Sequence, residues 1–240
     1  MPTDDVVQLD VTEAGVALVS LNRPEKLNIY NLAMRDALIE AFTAVAQHPD
    51  VRAMVLRANG AHFSAGADLS EFGSARSTLD ARRIRWQRDP WLPLVDIPQP
   101  KIAALHGYAL GAGLEMACLC DIRLAAADTI AGLPETRLGM LPSAGGTQSL
   151  PRAIRAPRAL QLILAARNVG ASEALALGLV QRIATDVEAV ALDMATRIAS
   201  LPPAAARAAT AAARAAQDLP LREGLAQERR LAQAAAGLAR

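Results

Sequence analysis

The amino-acid sequence predicts an α/β fold with a helical C-terminal region. Up to about residue 190, segments with the two-residue alternation of β-strands are separated by segments with helical periodicity, which indicates parallel crossover units. Beyond that point the pattern is wholly helical. The chain has 240 residues, 52% of them hydrophobic and 20% charged, which is enough for a large core. We therefore expect a core domain over residues 1–190 and a helical oligomerisation region over residues 191–240.

The first elements follow from periodicity and from turn residues. Val6–Val11 and Val16–Leu21 alternate as strands around a short polar turn, which predicts a hairpin. Asn31 is a suitable N-cap for an amphipathic helix that ends near residues 48–49. Val51–Ala58 predicts a further strand.

The middle of the chain alternates between loop, strand and helix. Residues 59–73 have no regular period and predict a loop, and the basic segment 79–87 predicts a helix. We expect a strand over Lys101–His106, a buried helix over Leu114–Cys120 and another strand over Asp121–Ala126.

The C-terminal segment predicts three helices. Asp186 is a possible cap for a helix over Val187–Leu201, which Pro202 and Pro203 end. An Ala- and Arg-rich helix and a last amphipathic helix follow. Such a tail more often packs on a core or on a neighbouring subunit than acts alone.

Charge and composition exclude several classes of function. A formal net charge of +1, from 25 basic and 24 acidic residues, provides no global field for nucleic acid or an anionic membrane. The N-terminus lacks the basic and apolar regions of a secretory signal, so we expect a cytoplasmic protein. Cys118 and Cys120 lack the further ligands of a zinc or cluster site, which favours buried free thiols and no metal.

Glu115 is the only formally charged side chain between Lys101 and Asp121. Burying an unpaired carboxylate costs several kcal/mol unless it is neutralised or hydrogen-bonded. Two interpretations remain open on this residue alone. It is either a structural glutamate bonded to backbone amides or a carboxyl with a tuned proton affinity.

Glu135 follows an apolar, strand-like segment and is preceded by Pro134. Alone it could be a solvated loop residue. A second carboxyl on another loop of the same core changes the interpretation, because paired carboxyls can divide acid and base roles.

Two loops of small residues, 64–68 and 111–113, could supply backbone donors to a developing oxyanion. A dinucleotide-binding fingerprint starting at Gly111 fails because its last glycine would fall on Met116. A plain tight turn remains the alternative.

Three segments resemble the signatures of the crotonase (enoyl-CoA hydratase/isomerase) family, namely Ala61–Leu69, His106–Ile122 and Leu133–Thr147. Leu21–Asn28 and Ala171–Val180 extend the resemblance, in order, over roughly residues 6–230. It implies a spiral of repeated β-β-α units, with trimers, often paired into hexamers, built through C-terminal helices. It also implies an acyl-CoA thioester substrate and no separate cofactor, because coenzyme A is part of the substrate.

The resemblance also implies roles for individual residues. The amides of Ala67 and Ala112 would form the oxyanion hole, although the family usually has glycine at the position of Ala112. Ser143 stands where glycine is frequent, close to the catalytic water. Coenzyme A would lie along Ala65, Asp68, Leu69 and Ser70, with Lys26 near its phosphates. The family usually continues beyond the matching C-terminal segment, which leaves the oligomer contacts and part of the CoA pocket open.

Members of the family that hydrate enoyl-CoA carry both carboxyls, whereas double-bond isomerases commonly keep one. The presence of Glu115 and Glu135 therefore predicts a hydratase, with Glu115 mainly the base toward water and Glu135 mainly the proton donor to the α-carbon. The alternatives are another reaction of the family, such as isomerisation or ring hydration or hydrolysis, and a non-catalytic acyl-CoA-binding subunit.

Overall fold

The computed structural model describes residues 5–73, 77, 79, 80 and 88–237. Its chain begins with the predicted hairpin, in which β1 (Val7–Val11) pairs antiparallel with β2 (Val16–Leu21). The turn is closed by a hydrogen bond of 2.9 Å from the amide of Gly15 to the carbonyl of Thr12.

Six strands form the main sheet of the described chain. Its order is β1-β2-β3-β4-β6-β9, and every neighbouring pair after the hairpin is parallel, which confirms the predicted α/β class. The further strands in chain order are β3 (Ala53–Ala58), β4 (Lys101–Leu105), β5 (Tyr108–Leu110), β6 (Ile122–Ala126), β7 (Ile130–Gly132), β8 (Asn168–Gly170) and β9 (Arg182–Ala184).

A second sheet, of order β5-β7-β8, was not predicted from the sequence. Its strands have three residues each, so none is long enough to show the alternation by which strands are recognised. β5 and β7 are parallel, and each leads directly into a segment that carries one of the two predicted carboxyls. This small sheet therefore positions the loops that matter for function.

Helices cover both faces of the main sheet. Along β4, Ala103 and Leu105 join the larger apolar cluster, while Ile102 and Ala104 join the second cluster on the opposite face. On the first face lies α1 (Leu32–Gln47), whose predicted cap is confirmed by the 3.0 Å hydrogen bond from the amide of Met34 to the Asn31 side chain.

The remaining described helices complete the chain order. They are α2 (Trp91–Asp96), α3 (Ala112–Cys118), α4 (Gly146–Ile154), α5 (Ala156–Leu164), α6 (Ala171–Leu177), α7 (Val187–Ala199), α8 (Pro203–Ala215) and α9 (Leu221–Gly237). α3 begins and ends two residues before the predicted Leu114–Cys120, because Ala112 and Gly113 already follow helical geometry after the Gly111 turn. Most of the helix predicted over 79–87 lies outside the described residues.

The second face of the sheet is covered by α7. Val187, Ala191, Ala195 and Ala199 pack in the same apolar cluster as strand residues. The predicted boundary between residues 190 and 191 falls inside this helix, and side chains on both sides of the boundary contact the sheet. The helices that contain no buried residue therefore begin with α8. The oligomerisation role of this region stays a prediction.

The helices α8 and α9 pack on each other and contain no buried residue in this chain. An ion pair ties α8 to the core, in which Arg214 donates to both carboxylate oxygens of Asp121 at 2.6 and 2.7 Å. Of the helices in the described ranges, none is both long and apolar enough to cross a membrane.

Candidate active site

A cavity of about 370 Å³ brings the predicted carboxyls and small-residue loops together. Its wall includes both glutamates, and it includes residues of the two loops that the sequence indicated. The predicted site residues that line it are Ala65, Ala67, Asp68, Leu69, Ala112, Glu115, Glu135 and Ser143.

The first loop is fixed by backbone pairing with the segment before α1. The amide of Tyr30 donates to the carbonyl of Gly66 at 2.8 Å, and the amide of Asp68 donates to the carbonyl of Tyr30 at 2.8 Å. The Ser64 hydroxyl accepts from the amide of Gly66 and donates to the carbonyl of Asn28. Because these bonds flank Ala67 on both sides, the position of its amide is determined by the fold.

The second loop reaches the first at Gly111, which follows β5 and precedes α3. Its φ of +49° and ψ of −126° belong to a region that is essentially restricted to glycine. A Cβ built on Gly111 would lie 3.5 Å from the Cα of Gly66, so the two loops are in contact. The amides of Ala67 and Ala112 donate to no acceptor in the described part of the chain, which leaves both available to a ligand.

Glu115 projects from α3 and is 3% exposed. Its Oε1 accepts hydrogen bonds from the amides of Ala144 at 2.9 Å and Gly146 at 2.8 Å, at the start of α4. Amide donors stabilise the ionised form of a carboxyl. The two interpretations left open by the sequence are therefore compatible, since Glu115 is bonded to backbone amides and also lines the cavity.

Glu135 lies on a 3-10 helix, Pro134–Leu138, that follows β7. Its Oε2 is buried, and it has no hydrogen-bond partner among the residues that the structure describes. Burial raises the pKa of this carboxyl above its ordinary value of 4.5, because water no longer stabilises the charge. The two carboxyls thus have different environments, and in that of Glu135 burial favours the protonated form.

The residues expected along coenzyme A are only partly in the cavity wall. Asp68 accepts hydrogen bonds from the hydroxyl and the amide of Ser70, and these bonds lower the pKa of the Asp68 carboxyl. Ser70 and Lys26 are exposed and are not among the described residues that line the cavity. Lys26 ends a short 3-10 helix, Pro24–Lys26, on the surface.

Sequence reasoning missed the groups that hold Glu115 and part of the cavity wall. The pair Gly145–Gly146 at the start of α4 was a usable signal. Glycines at the start of an amphipathic segment permit another group to approach the backbone closely. The aromatic residues Tyr30 and Trp91, with ring centroids 5.2 Å apart, carried no signal because they come from distant segments. No group of three or more metal-ligating side chains occurs among residues 5–73, 77, 79, 80 and 88–237.

Comparison with known proteins identifies relatives of this chain. The family model described as enoyl-CoA hydratase/isomerase matches residues 11–237. The crystal structure of an enoyl-CoA hydratase from Bacillus anthracis is 35% identical, with a TM-score of 0.89 over 95% of this chain and 90% of that chain. An enoyl-CoA hydratase from Thermoplasma volcanium GSS1 is 31% identical, with a TM-score of 0.87 over 95% and 91% of the two chains.

A third crystal structure has a broader description. It is an enoyl-CoA hydratase/carnithine racemase from Magnetospirillum magneticum, which is 34% identical. Its TM-score is 0.82 over 89% of this chain and 82% of that chain.

Proposed function

This chain belongs to the enoyl-CoA hydratase/isomerase family, and we propose that it is an enoyl-CoA hydratase that adds water across the 2,3 double bond of an enoyl-CoA thioester. One observation carries the proposal. Glu115 and Glu135, on different elements, line the same cavity as the unpaired amides of Ala67 and Ala112.

The two amides are proposed to bind the thioester carbonyl oxygen. When water attacks the β-carbon, electrons move through the double bond onto this oxygen. Fixed amide dipoles stabilise that charge more in the transition state than in the substrate. Loss of one such donor typically costs roughly 2.7 to 4 kcal/mol of transition-state stabilisation.

The two carboxyls are proposed to divide the proton transfers. Glu115, whose charge is stabilised by two amides, takes a proton from the attacking water, and the water oxygen bonds to the β-carbon. Glu135, whose pKa is raised by burial, gives a proton to the α-carbon as the enolate collapses. Proton exchange between the carboxyls and water then restores the starting state. Positioned acids and bases typically contribute about 10²- to 10⁴-fold to the rate.

The finer substrate contacts are also part of the proposal. Ala65, Asp68 and Leu69, which line the cavity, and the exposed Ser70 that follows them are assigned to coenzyme A, with exposed Lys26 near its phosphates. No cofactor is needed beyond the CoA that the substrate carries.

Assembly is proposed to be a homotrimer or a dimer of trimers through the C-terminal helices. The apolar side chains of Leu221 and Leu225 on α9 are 78% and 44% exposed in the single chain. Light scattering of the purified protein tests the subunit number, and a monomer at micromolar concentration would contradict it.

Turnover of a panel of straight, branched and aromatic enoyl-CoA thioesters tests the proposed reaction. We expect loss of the conjugated thioester absorbance and a product heavier by one water. Glu115→Gln and Glu135→Gln serve as matched variants. A product of unchanged mass would identify an isomerase, and tight binding of every thioester without turnover would identify an acyl-CoA-binding subunit.

A further inference from the structure

Tyr30 occupies a position in the cavity that the proposed hydration chemistry does not use. Its backbone pairs with Ala67 in a parallel bridge, which places the two side chains beside each other on one edge of the site. Tyr30 therefore stands next to one of the two amides assigned to the thioester carbonyl. If that amide binds the thioester carbonyl, a side chain beside it adjoins the acyl group that bears the carbonyl.

The Tyr30 ring is held by packing, while its hydroxyl is not held by any bond. The ring lies against the indole of Trp91, with centroids 5.2 Å apart and planes inclined by 35°. No hydrogen bond joins the hydroxyl to any side chain or backbone group in the described ranges, although the residue is partly buried. The hydroxyl is not among the buried side-chain atoms that lack a partner, so it remains accessible to water or to a ligand of the cavity that Tyr30 lines.

The hydroxyl is a donor at every physiological pH. Burial raises the pKa of Tyr30 far above its ordinary value of 10.0, and the nearby carboxyls of Asp89, Asp36 and Glu71 act in the same direction. The opposing effect of Arg35 is smaller than that of burial. The phenol is therefore protonated and offers an O–H to the cavity.

The charges around the Tyr30 hydroxyl indicate whether a carboxylate or a neutral oxygen of the substrate is the better acceptor. Arg35 lines the cavity, but its guanidinium is paired with Asp36 at 2.8 Å. Three further carboxyls, those of Asp68, Glu71 and Asp89, lie in the same wall. Among the described residues of this wall the carboxyls outnumber the single cation Arg35, which disfavours a further carboxylate on the substrate and leaves a neutral oxygen as the acceptor.

We propose that Tyr30 donates a hydrogen bond to a neutral oxygen of the acyl group, and that the enzyme therefore prefers acyl-CoA thioesters with a hydroxyl, carbonyl or ether oxygen over plain alkyl thioesters. An accessible hydroxyl without a protein partner is expected to bond to water when no ligand is bound. An alkyl chain displaces that water and leaves the donor unpaired, whereas an oxygen on the chain replaces the water. Sites that are built to bond a polar substituent reject the analogue that lacks it. The preference for turnover rests on the proposed function, but the preference for binding does not.

Calorimetric titration with saturated acyl-CoA thioesters tests the preference without turnover. The ligands are hexanoyl-CoA and three hydroxyhexanoyl-CoA isomers, with the hydroxyl at carbon 4, 5 or 6. At least one isomer is expected to bind the wild-type chain about 10- to 100-fold more tightly than hexanoyl-CoA. Tyr30→Phe, which keeps the ring and its contact with Trp91, is expected to remove that difference.

The matched control is Tyr108→Phe, because Tyr108 is the only other tyrosine and stacks on His62 outside the cavity wall. This variant is expected to keep the wild-type preference. Equal wild-type affinities for hexanoyl-CoA and all three isomers would overturn the proposal, whatever the variants do. An unchanged preference in Tyr30→Phe would overturn the role of the hydroxyl.

A carboxylate-terminated hexanoyl-CoA tests the charge argument. It is expected to bind more weakly than the best neutral isomer, and tighter binding would overturn the assignment of a neutral oxygen. Turnover of the corresponding 2-enoyl thioesters then separates the two proposals. A retained binding preference without hydration would refute the proposed function and leave the role of Tyr30 intact.

Discussion

The amide nitrogen of Gly146 lies 2.8 Å from the carboxylate oxygen Oε1 of Glu115, which joins the start of α4 to the acid that α3 presents to the cavity. The amide of Ala144 donates to the same oxygen at 2.9 Å. These two bonds orient a buried carboxylate while its side chain still lines the site. The proposed base is therefore positioned by backbone donors, and the position of its carboxylate depends on how closely α4 approaches it.

Replacement of Gly146 by alanine tests this approach. The added Cβ would lie 2.8 Å from Oε1 of Glu115 and 2.8 Å from Cδ1 of Leu133, so the carboxylate must move. Displacement of a catalytic group by about 1 Å can cost about 10²-fold in rate. We expect the kcat for enoyl-CoA hydration to fall about 10- to 100-fold.

The control for that variant is Gly224→Ala on α9, where a Cβ would meet nothing within 4 Å. It should leave kcat unchanged and raise the free energy of unfolding by about 0.5–1 kcal/mol, because alanine is the better helix former. A Gly146→Ala variant with wild-type kcat would show that the α4 contact does not position the base.

Gly111→Ala is expected to destabilise the fold and to displace the second carboxyl, that of Glu135. Its backbone conformation opposes any side chain, at a cost of about 1–3 kcal/mol, and the new Cβ would lie 2.9 Å from Oε1 of Glu135. The free energy of unfolding, measured by chemical denaturation, and kcat should both fall. Ala112→Gly is the neighbouring control, because it keeps the amide and the Gly111 turn, and a larger loss there than in Gly111→Ala would contradict this account.

The raised pKa of Glu135 predicts a pH-dependent stability. A carboxyl whose folded-state pKa is raised contributes stability below its unfolded value of 4.5 and loses it as the pH rises through the folded-state value. Glu135→Gln should therefore unfold at a higher temperature than the wild type at pH 8, and this advantage should shrink as the pH falls through the raised pKa and disappear below pH 4.5. A melting series from pH 4 to pH 8 provides the measurement.

Glu173→Gln is the control of opposite sign. The hydrogen bonds from Arg167 lower the pKa of Glu173, so that pair contributes stability above the unfolded value and loses it as the pH falls. Its variant should be less stable than the wild type at pH 8, by a small amount because the pair is exposed. The same pH trend in both variants would contradict the assigned environments.

The ion pair of Arg214 with Asp121 is expected to contribute more to stability than the more exposed pair of Arg152 with Asp218. It donates to Asp121 and to the carbonyls of Ile97 and Gln99, and the two ion-paired side chains are only 30% and 21% exposed. Its removal leaves Asp121 partly buried, with the amide of Lys101 as its remaining hydrogen-bond donor within the described ranges. We expect Arg214→Ala to lower the free energy of unfolding by about 1–3 kcal/mol in a urea titration.

Arg152→Ala is the matched control, because Arg152 joins the core to Asp218 just after α8 through side chains that are 46% and 63% exposed. Its loss should cost at most about 1 kcal/mol. Equal effects of the two variants would show that α8 does not depend on the Arg214 contact.

Much of the fold could be predicted from the sequence because the long elements carry strong periodic signals. The hairpin, the Asn31 cap and the longer strands of the main sheet follow from local alternation and side-chain capping, whereas the three-residue strand β9 was not predicted. The second sheet could not be predicted, because three-residue strands such as Tyr108–Leu110 have no measurable period. The sequence pattern singled out Glu115 and Glu135 and the resemblance implied their roles, but their different environments depend on contacts between distant segments.

The cavity wall shows the same limit. Tyr30 and Trp91 are 61 positions apart, and only the fold brings their rings together. The amides of Ala144 and Gly146 are invisible in a sequence because every residue except proline has one. Backbone donors were expected from the two loops of small residues, and only the resemblance indicated those of Ala67 and Ala112, whereas contacts between distant segments required the structure.

Hydration rates of Glu115→Gln, Glu135→Gln and the double variant test the central claim most directly. If both carboxyls serve one water addition, each single variant should lose at least about 10²-fold in kcat, and the double variant should lose little more than the worse single variant. Melting temperatures close to that of the wild type would show that the losses are chemical. A wild-type rate in either single variant, or losses that multiply in the double variant, would contradict a shared catalytic step.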